Sequence, residues 1–386
     1  MAAIIGWAHT QFGRLAGETL ESLITTVARE AIANAGIRPK EIDAIYVGNF
    51  GGFEKQSFPA AMALEAHPDL RFRPATRVEN ACATGTAAVH AAANTISAHA
   101  ARFVLVVGAE KMTAAPPGDI GDILLNASHR ATEGETAGGF AGIFGQIAQS
   151  YFQRHGDQSE AMAMIAAKNH ANGAANPFAH VRKELSVEFC NTVSDKNPLV
   201  AGPLRRTDCS PVSDGAAAMV LCDTETAIRF PRAIHIRAAA HVQDFLPMAK
   251  RDVIAFEGCE MAWRKAHAMG GTELADLSFV ETHDCFTIAE LIEYEAMGLA
   301  PKGEGARAIK EGWTQKTGKL PVNPSGGLKS KGHPIGATGV SMHVMAALQL
   351  EGLAGGMQVK DATLAGIYNM GGTAVANYVT IMERLR

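Results

Sequence analysis

The chain of 386 residues is poor in charged side chains, in aromatic side chains and in cysteine. Charged residues make up 19%, the net charge is −4 and no long basic run is present, so nucleic acid and anionic membrane surfaces are poor partners. No apolar run approaches the roughly 20 residues needed to span a bilayer. The first residues lack the charged and hydrophobic regions of a signal peptide, and the last four, E-R-L-R, differ from the peroxisomal signal S-K-L. We therefore expect a cytoplasmic protein with no membrane span.

The cysteines are few and scattered, and they form no C-x-x-C pair. They are Cys82, Cys190, Cys209, Cys222, Cys259 and Cys285. In a chain of this length, such spacing argues against a disulfide framework and against a zinc site. A reducing cytoplasm is the expected compartment, and we predict no metal.

What the chain has in quantity is apolar residues, 47% of the total, which suffice for two or more structural units. Apolar runs predict strands at Ala3–Trp7, Ile42–Val47, Phe103–Gly108, Ala216–Cys222, Ala233–Ala239, Leu277–Glu281, Leu364–Gly372 and Ala376–Met382. Helical spacing predicts helices at Ser22–Ala35, Pro59–Ala66, from Thr84 onward, and at Ile143–His155, Ser159–His170, Arg251–Met269, Thr287–Met297 and Val340–Leu350. Strands that alternate with helices predict an α/β fold with a mainly parallel sheet.

A short internal repeat suggests that the fold is duplicated. The letters A-T-G at Ala83–Gly85 recur at Ala337–Gly339, and each copy opens an apolar helix that a buried strand follows. We interpret residues 1–111, completed by 206–230, as one half and residues 231–386 as the other. Residues 112–205 lose the strand pattern and form a predicted insertion, for which substrate contact and plain packing remain equal interpretations.

Cys82 lies where the chain turns into the Ala-rich helix that begins at Thr84. Free N–H groups at a helix start favour negative charge, so a cysteine there should ionise more readily than a free thiol and act as a nucleophile. Taken alone, the same cysteine is more commonly a small buried core residue.

Four motifs together resemble the thiolase superfamily over the whole chain. They are E-N-A-C-A-T-G around Cys82, S-D-G-A-A-A at Ser213–Ala218, H-D-C-F at His283–Phe286, and N-P-S-G-G…G-H-P-I-G-A-T-G at Asn323–Gly339. H-D-C-F and the later N-M-G-G resemble the sterol-carrier-protein-type thiolases. The resemblance implies a five-layered αβαβα fold and a 3-ketoacyl-CoA thiolase (acetyl-CoA acyltransferase). It also implies coenzyme A as cosubstrate, no tightly bound cofactor, and a homodimer or dimer of dimers.

The resemblance also implies a role for each motif residue. Cys82 would accept the acyl group, and His333 would remove its thiol proton. His283 would hold the substrate thioester oxygen together with His333, where an enolate charge develops. A second oxyanion hole would use the backbone N–H of Cys82 and one from the Asn369–Gly371 turn, assigned to Met370.

Cys285 is the candidate for moving the α-proton, because the second catalytic cysteine of the best-known thiolases is missing and Tyr368 stands at its place. Cys285 follows His283 by two residues, so in extended chain their side chains share a side. A packing role for Cys285 and a purely structural role for His333 are the alternatives. A metal site made by His283, Asp284 and Cys285 is disfavoured, because adjacent side chains in extended chain point in alternating directions.

Three further functions compete with the thiolase interpretation. Some thiolase-like proteins are carbon–carbon lyases that use tyrosines, retro-aldol chemistry and a small zinc-ribbon partner protein, and Tyr368 keeps that alternative open. The set Cys82, His283 and His333 also resembles the condensing ketoacyl synthases. A non-catalytic acyl-CoA-binding scaffold would not need the complete nucleophile and base motifs that this chain retains.

Overall fold

A computed structural model describes residues 1–385, which form eleven strands and fourteen α-helices joined by short 3₁₀ turns. The strands are β1 (Ala2–His9), β2 (Ala44–Gly48), β3 (Ala75–Val78), β4 (Phe103–Lys111), β5 (Leu199–Ala201), β6 (Leu204–Arg205), β7 (Asp214–Asp223), β8 (Ile234–Gln243), β9 (Phe279–Glu281), β10 (Leu364–Gly371) and β11 (Ala376–Arg384). The helices are α1 (Leu20–Ala35), α2 (Pro59–Met62), α3 (Thr84–Ser97), α4 (Ile120–Leu124), α5 (Arg130–Glu133), α6 (Gly139–His155), α7 (Ser159–Ala174), α8 (Val187–Asn191), α9 (Thr224–Ala227), α10 (Glu257–Gly270), α11 (Thr287–Ala296), α12 (Gly305–Lys310), α13 (Gly327–Lys331) and α14 (Ile335–Leu350).

The pattern of parallel and antiparallel strand pairs is almost the same when counted from either end of the sheet, which supports the inferred duplication. Nine strands pair in the order β3-β2-β4-β7-β1-β8-β11-β10-β9. β1 and β8 meet in the middle over only two residues each, so they divide the sheet into two halves. Beyond β9, a parallel bridge between Val280 and Val322 stands where β3 stands in the first half. Each half thus has parallel pairs at its outer end and antiparallel pairs toward the middle.

The prediction of a mainly parallel sheet is wrong. Antiparallel pairing runs without interruption from β4 to β10, and parallel pairs occur only at the two ends. The reason lies in the connections. β10 and β11 are joined by a tight turn, which requires antiparallel strands, and β4 and β7 are joined by the long insertion rather than by a crossover helix.

Helices cover the two half-sheets in five layers, αβαβα. α1 packs on β1, β4 and β7 at one outer face, and α10 packs on β8 and β11 at the other. The middle layer consists of α3 and α14, which contact each other and strands of the sheet. α14 is mostly apolar and buried along nearly its whole length, whereas α3 is buried in its first half and partly exposed toward its C-terminal end.

The repeated A-T-G sequences meet where α3 crosses α14. A Cβ on Gly85 would lie 2.7 Å from the backbone nitrogen of Gly339, and a Cβ on Gly339 would lie 2.1 Å from that of Thr86. Only glycine permits so close an approach, so the repeat marks the contact between the halves. The helix predicted at Val340–Leu350 begins earlier in the structure, at Ile335, so the second A-T-G lies within its first turns.

Several short elements were not predicted from the sequence: the strands β3, β5 and β6 and the helices α4, α5, α8, α9, α12 and α13. β3 is a half-exposed edge strand with little apolar pattern, and the β5–β6 hairpin is too short to show one. The division of the chain into two halves and an insertion, with boundaries at residues 111, 205 and 230, stays an interpretation. Residue 386, the last of the predicted C-terminal half, lies outside the described residues. Within residues 1–385, no helix is long and apolar enough to cross a membrane.

Gly339→Ala tests the helix crossing. The added Cβ must push α14 away from the backbone of α3, so we expect the free energy of unfolding to fall by about 1–3 kcal/mol. Chemical denaturation followed by circular dichroism measures this. Gly118→Ala is the control, because a Cβ there meets nothing within 4 Å. Equal stability of the two variants would contradict the proposed crossing constraint.

Candidate active site

The two middle helices deliver the predicted nucleophile and base to one place. Cys82 stands two residues before α3, and His333 stands two residues before α14. The residue before Cys82, Ala81, has a φ of 49°, a left-handed conformation that a non-glycine residue seldom adopts. Because α3 and α14 cross close to their first turns, the two side chains face each other.

Cys82, His283 and His333 form a compact buried cluster. The sulfur of Cys82 and one ring nitrogen of each histidine lie within 4.8 Å of one another. The two imidazole rings stand edge to face, with centroids 5.1 Å apart and an interplanar angle of 86°. The Nε2 atoms of both histidines are buried and have no hydrogen-bond partner among residues 1–385. Such atoms are free to serve a substrate.

The hydrogen bond at the other nitrogen of His333 indicates where its proton lies. Nδ1 is 2.6 Å from Oγ1 of Thr338, whose hydroxyl lies 3.0 Å from the carbonyl oxygen of Pro334. When this hydroxyl donates to the carbonyl, it accepts from Nδ1–H of His333. The lone pair is then on Nε2, as a general base requires.

Burial favours the neutral form of both Cys82 and His333. Burial raises the pKa of the Cys82 thiol to about 12, although the backbone N–H groups of Gly372 and of Cys82 itself act in the opposite direction. Burial, and to a lesser extent the charge of Lys331, lowers the pKa of His333 to about 3. The expectation that the helix start makes Cys82 ionise readily is therefore wrong, because desolvation outweighs the helix start.

A cavity of about 140 Å³ opens onto the cluster and brings Cys285 to it. Its walls are Cys82, Met112, Leu124, Phe140, Ala141, Val200, Cys209, Ser210, Pro211, Val212, Cys285, Phe286 and His333. Cys82, Cys285 and His333 thus share one cavity, which is otherwise mostly apolar. Burial and the neighbouring Cys82 raise the pKa of Cys285 well above its usual value, so Cys285 holds its proton at rest.

The structure corrects the position assigned to Tyr368, which was expected to stand in place of the second catalytic cysteine. Side chains alternate along β10, so Tyr368 and Asn369 project to opposite sides. The hydroxyl of Tyr368 donates to Oδ1 of Asn377 at 2.7 Å, and Tyr368 is not among the residues of the cavity wall in the described chain. Asn369, the next residue, instead contacts the carbonyl oxygen of Cys82 at 3.2 Å and Nδ1 of His283 at 2.8 Å. Besides its own N–H, the backbone N–H that acts on the Cys82 sulfur belongs to Gly372, two residues beyond Met370. The oxyanion role of Met370 stays a prediction.

Two buried carboxylates hold the H-D-C-F turn against the glycine-rich loop. Asp284 accepts backbone N–H groups of Leu328 at 2.6 Å and Lys329 at 3.1 Å. Glu281 accepts both the N–H and the hydroxyl of Ser325, at 3.1 and 2.6 Å. Burial, with repulsion from Glu290, raises the pKa of Asp284 to about 7. Each carboxylate spans two motifs that lie about 40 residues apart, which fixes His283 relative to His333.

The insertion also contacts this turn, through an ion pair and hydrogen bonds from α7. Lys168 and Asn169, both on α7, reach Glu290 on α11 at 2.9 and 2.6 Å, and Asn169 also donates to Asp284 at 2.7 Å. These groups are buried, so their mutual hydrogen bonds are needed to offset the desolvation of the charges. Together they link the insertion to the turn that carries His283 and Cys285.

Sequence reasoning missed three residues that touch the cluster: Thr338, Asn369 and Gly372. Thr338 lies in the A-T-G repeat and Asn369 lies in the N-M-G-G motif. Both motifs were identified in the sequence, but the roles of these two side chains were not predicted. Of the remaining cysteines, Cys209 lies in the cavity wall, whereas Cys190, Cys222 and Cys259 are buried elsewhere.

The reactivity of Cys82 should rise steadily with pH. Iodoacetamide alkylates the thiolate, and a thiol whose pKa is raised to about 12 gains thiolate about tenfold per pH unit through neutrality. We therefore expect no plateau between about pH 6 and pH 10, whereas a free thiol levels off near its pKa of about 8.5. Mass spectrometry of the Cys82 peptide after timed alkylation gives the rates. A plateau that begins below neutral pH would instead indicate a preformed thiolate–imidazolium pair.

Known proteins resemble this chain along its whole length. The family described as "Thiolase, N-terminal domain" matches residues 2–225, and "Thiolase C-terminal domain-like" matches residues 240–384. The acetyl-CoA acetyltransferase of Methanothermobacter thermautotrophicus is 35% identical over 389 aligned positions, covering 99% of each chain. Sterol carrier protein 2 of Homo sapiens is 32% identical and covers 95% of this chain and 69% of its own.

A solved structure described as "Ltp2-ChsH2(DUF35) aldolase" shares the fold, with a TM-score of 0.84 at 21% identity over 100% of this chain and 98% of the other. The predictions of the superfamily, of the five-layered fold and of a thiolase-type acyltransferase are confirmed. On the family matches and these relatives, the chain belongs to the thiolase family.

Proposed function

We propose that the protein is an acetyl-CoA acyltransferase that cleaves 3-ketoacyl-CoA with coenzyme A, or catalyses the reverse Claisen condensation, through an acyl group on Cys82. The observation that carries this proposal is the single cavity that joins Cys82, His333 and Cys285. One nucleophile, one base and one further proton donor are what the two half-reactions need.

In the first half-reaction, Nε2 of His333 takes the thiol proton while the sulfur of Cys82 attacks the 3-keto carbon. The backbone N–H groups at the sulfur, those of Cys82 and Gly372, hold the oxygen that becomes negative. The bond between C2 and C3 then breaks, and the acyl group stays on Cys82. His283 and the protonated His333 hold the oxygen of the departing enolate, and Cys285 gives its proton to C2, releasing acetyl-CoA.

In the second half-reaction, the Cys285 thiolate takes the proton of the incoming coenzyme A thiol. The coenzyme A sulfur attacks the acyl carbon, the bond to Cys82 breaks, and the Cys82 sulfur recovers its proton from His333. All three residues return to their neutral resting forms, which match the directions of their pKa shifts. Coenzyme A serves as cosubstrate, and the proposal requires no tightly bound cofactor.

The partner-dependent lyase alternative loses its main support. It rested on Tyr368, whose hydroxyl is engaged in a hydrogen bond to Oδ1 of Asn377. The aldolase of the same fold is 21% identical, so this likeness concerns the fold alone. Cleavage that requires a co-purified zinc-ribbon protein would revive the alternative.

We also propose a cytoplasmic homodimer. All six cysteines are free thiols, which suits a reducing compartment. β3 is the outermost strand of the first half-sheet and its two central residues, Thr76 and Arg77, are exposed. An open strand edge is a template for pairing with a second chain. Since β3 ends four residues before Cys82, that pairing would place the interface beside the nucleophile.

The division of labour between Cys82 and Cys285 is testable with two variants. Cys82→Ala should form no acyl adduct and show no thiolysis, because the nucleophile is gone. Cys285→Ala should still be acylated on Cys82 by an acyl-CoA but lose thiolysis by about 100-fold or more, since a general acid–base contributes about 10²–10⁴. Intact-mass spectrometry and a 3-ketoacyl-CoA cleavage assay are the measurements.

Cys222→Ala is the matched control, because Cys222 is buried in β7 away from the cavity and its variant should behave like the unmodified protein. Thiolysis by Cys82→Ala at the unmodified rate would refute the acyl-enzyme. Thiolysis that survives in Cys285→Ala would assign the α-proton to another group.

The dimer predicts a particle of twice the mass of the chain. Light scattering at micromolar concentration should give about twice 40.7 kDa. A stable particle of 40.7 kDa under these conditions would contradict pairing through β3.

A further inference from the structure

The side-chain amide of Asn369 lies between the nucleophile and a histidine of the cluster. Asn369 is fully buried on β10. Its Nδ2 donates to the carbonyl oxygen of Cys82 at 3.2 Å and contacts Nδ1 of His283 at 2.8 Å. Its Oδ1 accepts the hydroxyl of Thr86 at 2.8 Å. All the hydrogen-bonding atoms of this amide are therefore engaged.

These contacts permit only one orientation of the amide. Rotation by 180° would bring Oδ1 against the carbonyl oxygen of Cys82, and two acceptors would then face each other without a proton. In the observed orientation, Nδ2 donates at both of its contacts. Nδ1 of His283 must accept, so the single proton of the neutral ring is on Nε2.

We infer that Asn369 is a positioning residue that fixes His283 with its proton on Nε2 and thereby makes it a hydrogen-bond donor to the enolate oxygen. This inference rests on the proposed thiolase function. His333 has the opposite arrangement, with Nδ1 as donor to Thr338 and the lone pair on Nε2. Two histidines 5.1 Å apart thus take different roles, one as donor and one as base, because different side chains bind their Nδ1 atoms.

The same proton keeps metal ions out of the cluster. Cys82, His283 and His333 supply one sulfur and two imidazoles within 4.8 Å, which is a donor set that zinc binds well. An imidazole ligand needs a lone pair on the coordinating nitrogen, and metal-binding histidines usually donate their other N–H to a carboxylate or carbonyl. Asn369 has the opposite effect at His283, because its amide donates to Nδ1 and so leaves the ring proton on Nε2. The structure thus assigns it a second effect, the protection of the nucleophile from soft divalent cations.

Asn369→Asp tests both effects, because a carboxylate accepts Nδ1–H and leaves the lone pair on Nε2. The converse exchange in serine-protease triads, from Asp to Asn beside a histidine, also changes the tautomer and abolishes most activity. We expect the rate of carbon–carbon cleavage to fall by about 10²–10³, as for the loss of one oxyanion donor. Exchange of an acyl group between acyl-CoA and coenzyme A should fall much less, because no enolate forms in it.

Metal binding gives a measurement that does not depend on activity. Titration with Co²⁺ should produce a sulfur-to-metal charge-transfer band at one ion per chain in Asn369→Asp, with affinity at least about tenfold above that of the unmodified protein. Adding Cys82→Ser to this variant should remove the band. Asn377→Asp, which places a carboxylate on the partner strand of the same hairpin, should gain no band. Equal Co²⁺ affinities of Asn369→Asp and the unmodified protein would overturn the inference.

The unmodified protein provides a further test that no folding defect can obscure. NMR of the protein labelled with ¹⁵N-histidine, with the His283 signals identified by their loss in His283→Asn, should show the proton on Nε2. A proton on Nδ1 would overturn the inference even if thiolysis through Cys82 stands. Conversely, the absence of acylation on Cys82 together with the predicted tautomer would overturn the proposed function alone.

Discussion

The crossing of α3 and α14 is the contact on which the rest of the site depends. Gly85 and Gly339 let the two backbones approach more closely than any side chain would permit. Since Cys82 and His333 each stand two residues before one of these helices, the distance between the helices sets the distance between nucleophile and base. The duplicated halves thus produce an asymmetric site, because equivalent helix starts carry different side chains.

Burial gives this site its resting state. Desolvation raises the pKa of Cys82 and lowers the pKa of His333, so burial favours the neutral form of each group. In the proposed mechanism, charge forms when the substrate presents a carbonyl to the fixed backbone N–H groups. Donors that are already oriented stabilise that charge without the cost of reorganising. In the mechanism we propose, the hydrogen bonds to Thr338 and Asn369 decide in advance which histidine nitrogen is base and which is donor.

Buried polar groups help to hold the H-D-C-F turn in place, together with the packing of Phe286 on Phe144. Glu281 and Asp284 bind the glycine-rich loop, while Lys168 on the insertion bonds to Glu290 beneath it. Such a network is stable only when every member is satisfied, which makes its geometry specific. The insertion therefore helps to place His283 and Cys285 and also contributes Phe140 and its neighbours to the cavity wall.

The sequence alone determined the family and most of the long strands and helices, and it singled out Cys82, His283, Cys285 and His333 as candidates, because long motifs and apolar periodicity are local properties. It could not determine strand direction, which depends on how connections run in space, and the sheet is mainly antiparallel where the pattern favoured parallel. Nor could it determine that burial would outweigh the helix start at Cys82. The tertiary structure also decided that Asn369, not Tyr368, faces the site, since a shift of one residue along a strand reverses the side from which a side chain projects.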